Sequence, residues 1–263
     1  MASQSDGAEG VRRPDGRVLR PAPRPAQARA AARRLRAPPP FEHAFEHPGY
    51  APAMSIAFQA SLFDDLQAEP GLGALGAEVE RLDLGQGAWL DIRPGWVSDS
   101  DALFERLVED VEWTADTRLM HGRTVEVPRL LSWFGPRATL PAPVLVEARE
   151  ALNDHYGRPP GQVLETAGLC FYRTGDDSVA WHGDRVGRAI DRDTMVAIVS
   201  VGAARTLSLR PKGGGEVRRF PLGHGDLVVM GGSAQRTHEH AILKTQKAVG
   251  PRISIQFRPV WPA

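Results

Sequence analysis

Beyond Gly161 the chain breaks into short β-rich runs with glycine-rich turns between several of them, a pattern that confines this half to layered or closed β-sheet. The runs cover residues 163–173, 194–201, 206–210, 217–221, 227–230 and 252–258. Runs of this length, rich in β-branched residues and bounded by turns such as Gly213-Gly214-Gly215, suit buried strands better than helices. Six of them predict an all-β sandwich or barrel.

The preceding segment adds a hairpin and two helices. Residues 79–84 and 88–92 alternate around Gly85-Gln86-Gly87, a hairpin signal. Ser98 to Asp101 are expected to cap a helix whose apolar positions Leu103, Phe104, Leu107, Val108 and Val111 recur at the helical period. A second helix is expected from Pro143 to about His155, burying Leu145, Ala148 and Leu152. Both helices should lie against the outside of the β core.

Residues 1–53 are Ala-, Arg- and Pro-rich, with Pro38-Pro39-Pro40 and no sustained apolar period. Such a segment buries too little surface to offset its ordering entropy and reads as disordered. A basic nucleic-acid arm and an over-extended gene start are equal alternatives for it. Globular composition begins at Met54, which makes 54–263 the expected domain.

The single Cys170 among 263 residues excludes an internal disulfide framework and fits a reducing, cytoplasmic setting. No apolar run reaches membrane-spanning length and no signal-like apolar core opens the chain, so neither export nor a membrane location is expected. Lys+Arg and Asp+Glu number 32 each, which gives no overall support to nucleic-acid binding. Basic surface, if present, must be local. The candidates are Arg205, Arg210, Lys212, Arg218 and Arg219, and a second group of Arg185, Arg188 and Arg192.

Chemistry concentrates in His182-Gly183-Asp184. A histidine and a carboxylate two positions apart in extended backbone point the same way and can share one ion. A third ligand must come from elsewhere, with His240 and His238 as candidates. Two histidines and one carboxylate leave a face of an octahedral ion open, the geometry of non-haem Fe(II) oxygenases.

The order His182-Gly183-Asp184, His240, then Arg252-Ile253-Ser254-Ile255-Gln256-Phe257-Arg258 resembles the AlkB family of Fe(II)- and 2-oxoglutarate-dependent demethylases. The resemblance covers roughly residues 75–260 and extends to Val127-Pro128-Arg129, Phe134-Gly135, Tyr172 and Gly225-Asp226-Leu227. It implies a mainly β fold with flanking helices, the double-stranded β-helix or jelly roll. It also implies Fe(II) on His182, Asp184 and His240, with His240 preferred over His238 for its spacing to Arg252. The co-substrate 2-oxoglutarate is implied to pair through its distal carboxylate with Arg252, with Arg258 near its metal-binding end and Tyr172 hydrogen-bonding it. A planar guanidinium suits a carboxylate because two parallel charge-assisted hydrogen bonds can form.

The implied activity is oxidative demethylation of alkylated DNA or RNA, a direct-reversal repair reaction carried out by a monomer. A base must leave its stack to reach the metal, and Arg129, Trp133, Phe134 and Trp181 are the residues expected to meet it. His121, Gly122 and Arg123 fall where related enzymes carry a loop that probes the duplex. Three departures stand out. Cys170 replaces a common Asn, Ser254 and Gln256 replace Asn and Thr, and Arg185-Val186 follow Asp184 where relatives carry an acid that touches the base. An oxygenase acting on tRNA, protein or a small molecule, and a non-catalytic metal-binding jelly roll, are the alternative functions.

Overall fold

The computed structural model describes residues 69–120, 123–158, 162–184 and 192–260. The expected boundary at residue 54, the tail before it, His121-Gly122 and residues 185–191 lie outside them. The described chain runs β1 (Glu80–Gly85), β2 (Ala88–Arg93), α1 (Ser100–Asp110), β3 (Thr114–Met120), β4 (Arg123–Phe134), α2 (Pro143–Tyr156), β5 (Leu164–Tyr172) and β6 (Val179–His182). It continues with β7 (Val196–Gly202), β8 (Arg205–Pro211), β9 (Arg218–Leu222), β10 (Asp226–Gly232), the short α3 (Ala234–Thr237), β11 (His238–Ile242) and β12 (Arg252–Pro259).

The strands form two antiparallel sheets, one of eight strands in the order β1-β2-β10-β7-β12-β5-β4-β3 and one of four in the order β6-β11-β8-β9. This is the jelly roll that the six runs and the resemblance predict, and all six runs are strands in it.

Period-two alternation decides which face does what. On β12, Ile253, Ile255 and Phe257 join Phe171, Val199 and Val201 in a core under Leu103 and Leu107 of α1 and Leu145 and Leu152 of α2. The alternate residues Arg252, Ser254, Gln256 and Arg258 line the space between the sheets. There Ile198, Val228 and Met230 of the large sheet meet Leu207, Leu209 and Ile242 of the small one in a second core. Buried polar side chains facing inward beside an apolar layer are costly unless they serve a site.

The local signals behave as expected with one exception. In the β1–β2 turn Gln86 and Gly87 both have positive φ, 57° and 75°, matching the twist of a tight hairpin. α2 starts with Pro143 in its first turn and ends at Gly157, whose φ is 81°. At α1, however, the residue before the helix is Asp99 in the left-handed region, and no side chain caps the first turn. The Ser100 hydroxyl instead donates to the Val97 carbonyl, 2.7 Å away.

Gly225-Asp226 closes the turn into β10. Asp226 accepts from the amides of Gly95 at 2.8 Å and Gly223 at 2.6 Å. Gly225 has φ 82°, and a Cβ there would collide with the Val97 carbonyl and lie 2.7 Å from Ser100 Oγ. Gly225→Ala therefore combines left-handed strain with a backbone clash and should cost roughly 3 kcal/mol. A chemical-denaturation midpoint equal to that of the parent would contradict this account of the turn.

β3, β4, β6 and β11 carry no sequence prediction, and two of them bear the metal candidates. The hairpin of β3 and β4 is irregular where Pro128 sits, and its register shifts between Ala115 and Thr117, which hides the strand period. β6 has four residues and β11 reads His-Glu-His-Ala-Ile, too short and too polar for a β signal. No described helix is long and apolar enough to cross a membrane.

Candidate metal centre and co-acid pocket

β6 and β11 are neighbours in the small sheet, and their register sets His240 directly opposite His182. The imidazole centroids are 4.2 Å apart, tilted by 50°. Asp184 follows immediately after β6, and the ligand atoms of His182, Asp184 and His240 all lie within 4.8 Å of one another. His238 is buried but is outside this group; its Nδ1 lies 2.9 Å from Thr237 Oγ1.

Backbone approach explains the glycine between the ligands. A Cβ at Gly183 would sit 2.6 Å from the carbonyl oxygen of Gln235 in α3. The same glutamine accepts a hydrogen bond from the Asp184 amide at 3.1 Å, fixing the loop that carries the carboxylate.

Each candidate ligand is held ready for a cation. His182 Nδ1 lies 2.8 Å from the Ala180 carbonyl, which can only accept, so the proton sits on Nδ1 and Nε2 is bare. Burial pushes His182 below its ordinary range. Burial and the neighbouring His182 push His240 down to about 3. Burial alone would raise Asp184, but the Arg258 guanidinium and the nearby imidazoles outweigh it and hold the carboxyl below its usual range. Arg258 Nε is 2.8 Å from Asp184 Oδ2.

A pH prediction follows for the metal-free protein. His240 is depressed in the fold, so its contribution is complete above the unfolded value of 6.5 and is lost as pH falls toward about 3. Between pH 7.5 and 5.5 this histidine alone should remove about 1 kcal/mol of stability. Denaturation midpoints at the two pH values provide the measurement, and a flat profile would contradict neutral burial of the imidazole.

His182 and His240 open onto a cavity of about 480 Å³, counting its mouth, whose walls include Arg129, Cys170, Tyr172, Arg252, Ser254, Gln256 and Arg258. Arg252 is 1% exposed, far below what a guanidinium normally tolerates. Its Nε donates to Ser200 Oγ at 2.9 Å and its face lies 5.3 Å from the Tyr172 ring centroid. Its buried Nη1 has no partner. A buried cation with an unmet donor is costly unless an anion completes it. Tyr172, pushed up to about 12 mainly by burial, stays protonated and able to donate.

The departing residues Cys170, Ser254 and Gln256 interlock at the pocket wall. Gln256 Nε2 donates to Ser254 Oγ at 2.5 Å, Cys170 Sγ lies 3.6 Å from Gln256 Oε1, and Arg258 Nη1 lies 3.5 Å from the same oxygen. They form a polar strip between the two arginines of β12.

The residues expected to meet a substrate divide. Arg129 lines the cavity. Trp133 is paired across the sheet with Gly168, which is paired with Gln256, so it shares the inner face, and it is 58% exposed. Its ring carbons would be 3.3 Å from a Cβ at Gly168, so the indole lies over that glycine. Phe134 is one residue on and points the other way, packing on the helix-side core rather than into the cavity. Trp181 also faces away from the cavity. It lies 4.2 Å under Arg210, which pairs with Glu239, and Glu239 alternates with His240 on β11, placing the cluster on the outer face of the small sheet.

The expected basic stretch is likewise divided. Arg205 is buried and donates to the carbonyls of Thr174, Asp177 and Leu243, while Lys212, Arg219 and Arg192 are exposed. Of the residues that sequence reasoning missed, Ser200 and Gln235 are the most informative. A serine between valines in an otherwise apolar run was the available signal for the first, and Gln235 gave none.

The profile described as the 2OG-Fe(II) oxygenase superfamily matches residues 92–258. The chain belongs to that superfamily. The cofactors of this 2OG-Fe(II) oxygenase are therefore Fe(II) and 2-oxoglutarate, and the bare imidazole Nε2, the depressed Asp184 and the orphaned Arg252 Nη1 fit them. Its relatives are AlkB homologues. The Bos taurus alpha-ketoglutarate-dependent dioxygenase alkB homolog 3 is 30% identical over 191 residues, 64% of this chain and 65% of that protein. The Homo sapiens protein of the same name is 30% identical over 187 residues, again 64% and 65%. The Homo sapiens DNA oxidative demethylase ALKBH2 is 25% identical over 182 residues, 62% of this chain and 69% of that one. The chain thus spans just under two thirds of the alkB homolog 3 proteins it matches.

Proposed function

We propose that this chain is an Fe(II)- and 2-oxoglutarate-dependent dioxygenase that removes N-methyl groups from alkylated nucleobases in DNA or RNA, a direct-reversal repair activity. The observation that carries the proposal is that His182 and His240, grouped with Asp184, open onto the same cavity as Arg252, whose buried Nη1 lacks an acceptor. The printed activity of the ALKBH2 relative, DNA oxidative demethylase, supports the choice of substrate.

His182, Asp184 and His240 would hold the iron on one face, leaving the opposite face for co-acid and oxygen. When bound, Fe(II) with 2-oxoglutarate and O2 supplies the oxidising power that turns N–CH3 into N–CH2OH, with succinate and CO2 as the other products. Arg252 holds the distal carboxylate of 2-oxoglutarate and Tyr172 donates a hydrogen bond to it. Arg258 keeps Asp184 charged and aimed. Trp133 offers an aromatic face at the rim beside Gly168, and Arg129 a cationic edge deeper in. The hydroxymethyl group then leaves as formaldehyde, its hydroxyl proton passing to the ring nitrogen.

The reading includes a monomer, and the lone Cys170 supports a cytoplasmic setting. Succinate measured in the presence of Fe(II), 2-oxoglutarate and a methylated oligonucleotide tests the proposal. Formation stimulated by the methylated strand over its unmethylated twin is expected. Stimulation by tRNA, protein or a small molecule alone would replace the substrate class, and no turnover by iron-loaded protein would leave a binding module.

A further inference from the structure

The cavity wall carries three guanidinium groups and, among its described lining residues, no acid. Two of the three cations have partners in the proposed function, Arg252 with the co-acid and Arg258 with Asp184. Fe(II) and 2-oxoglutarate together are neutral and Asp184 cancels one arginine, so the site keeps two net positive charges even with Arg252 paired to the co-acid. Arg129 is the cation left over. Its Nη1 donates to the Ser178 carbonyl at 2.9 Å, and its Nε is buried without an acceptor. The two residues after Asp184 in the sequence, Arg185 and Val186, add no carboxylate.

Methylation of a ring nitrogen that bears only a lone pair, as in N1-methyladenine or N3-methylcytosine, leaves the base cationic. Methylation of a ring nitrogen that bears a proton, as in N3-methylthymine, N3-methyluracil or N1-methylguanine, leaves the base neutral, with a carbonyl oxygen at the position where adenine and cytosine carry their amine. An arginine with a free donor stabilises such an oxygen and repels a cationic ring.

We propose that this site selects neutral N-methylated bases that carry a carbonyl oxygen where N1-methyladenine and N3-methylcytosine carry their amine, with Arg129 donating to that oxygen. The inference rests on the nucleobase reading and deepens it. In such a substrate the methyl carbon is oxidised to formaldehyde, one atom of O2 goes to that carbon and the other to succinate, and the hydroxyl proton returns to the ring nitrogen. The base is neutral before and after, so it adds no further positive charge to the cavity.

N3-methylthymine and N3-methylcytosine differ chiefly in the 4-oxo or 4-amino group, and so serve as the probe pair in otherwise identical single-stranded oligonucleotides. Binding to the protein loaded with Mn(II) and 2-oxoglutarate without oxygen, and kcat/KM for the iron form, are both read. The neutral base should be favoured roughly tenfold in each, the scale of one charged hydrogen bond together with relief of a repulsion. Arg129→Gln should remove most of that preference while leaving the KM for 2-oxoglutarate near its parent value. Equal or reversed preference in the parent would overturn the selectivity, and a preference unchanged by Arg129→Gln would overturn the role of Arg129. If neither strand binds better than its unmethylated twin, the nucleobase reading fails, and the inference falls with it.

Discussion

Asp184→Ala is expected to reduce succinate formation below detection and to weaken Fe(II) binding by more than the roughly 10- to 100-fold typical of losing a partner hydrogen-bonded to a ligand. The reasoning is geometric. His182 and His240 face each other across two strands, and among the described residues Asp184 is the one that brings a negative charge to the same point. Its removal also strands Arg258 beside two imidazoles, so a cation replaces a neutral ion pair where the metal must bind. Because an unpaired buried charge is itself destabilising, Asp184→Asn is the companion variant. It keeps the shape and the amide contact with Gln235 while losing the charge. Folded Asp184→Asn protein that still formed succinate at the parent rate would overturn the ligand assignment.

Arg252→Met should raise the KM for 2-oxoglutarate by about a hundredfold or more, the range for truncating one partner of a buried charge pair. Fe(II) affinity measured without the co-acid should change little, since Arg252 is not in the metal group. The same variant should be more resistant to thermal unfolding than the parent when no co-acid is present. Arg252 is a fully buried cation with a donor that the fold leaves unmet, and an apolar side chain of similar length removes that cost. Higher stability with weaker co-acid binding is the mark of a residue kept for function. An unchanged KM would contradict the anchoring role, and a lower melting temperature would show that Arg252 supports the core instead.

The sequence made the strands and helices legible wherever one period ran unbroken. The helical stripe from Leu103 to Val111 and the apolar runs of β5, β7 and β12 are long and regular enough to read. β4 was lost because Pro128 and the irregular register interrupt its period. That loss had a consequence for the site. Trp133 and Phe134 are adjacent, so on any strand only one can face the cavity, and recognising β4 would have separated them.

Arg205 shows the other limit. Its acceptors at Thr174, Asp177 and Leu243 lie 28 to 38 residues away, so nothing local distinguishes a buried tie from a surface charge. The metal group was legible because His182 and Asp184 are close in sequence. The choice between His238 and His240 required the register of β11 against β6, which sets His240 opposite His182.

The most direct test of the central claim is visible absorption during anaerobic addition of 2-oxoglutarate to Fe(II)-loaded protein, followed in parallel for Asp184→Ala and Arg252→Met. Chelation of iron by the keto acid gives a metal-to-ligand charge-transfer band. The parent should develop that band and saturate, Asp184→Ala should not develop it, and Arg252→Met should require a much higher 2-oxoglutarate concentration. A parent protein that binds Fe(II) yet never develops the band, or an Asp184→Ala variant that develops it at parent concentrations, would contradict the account.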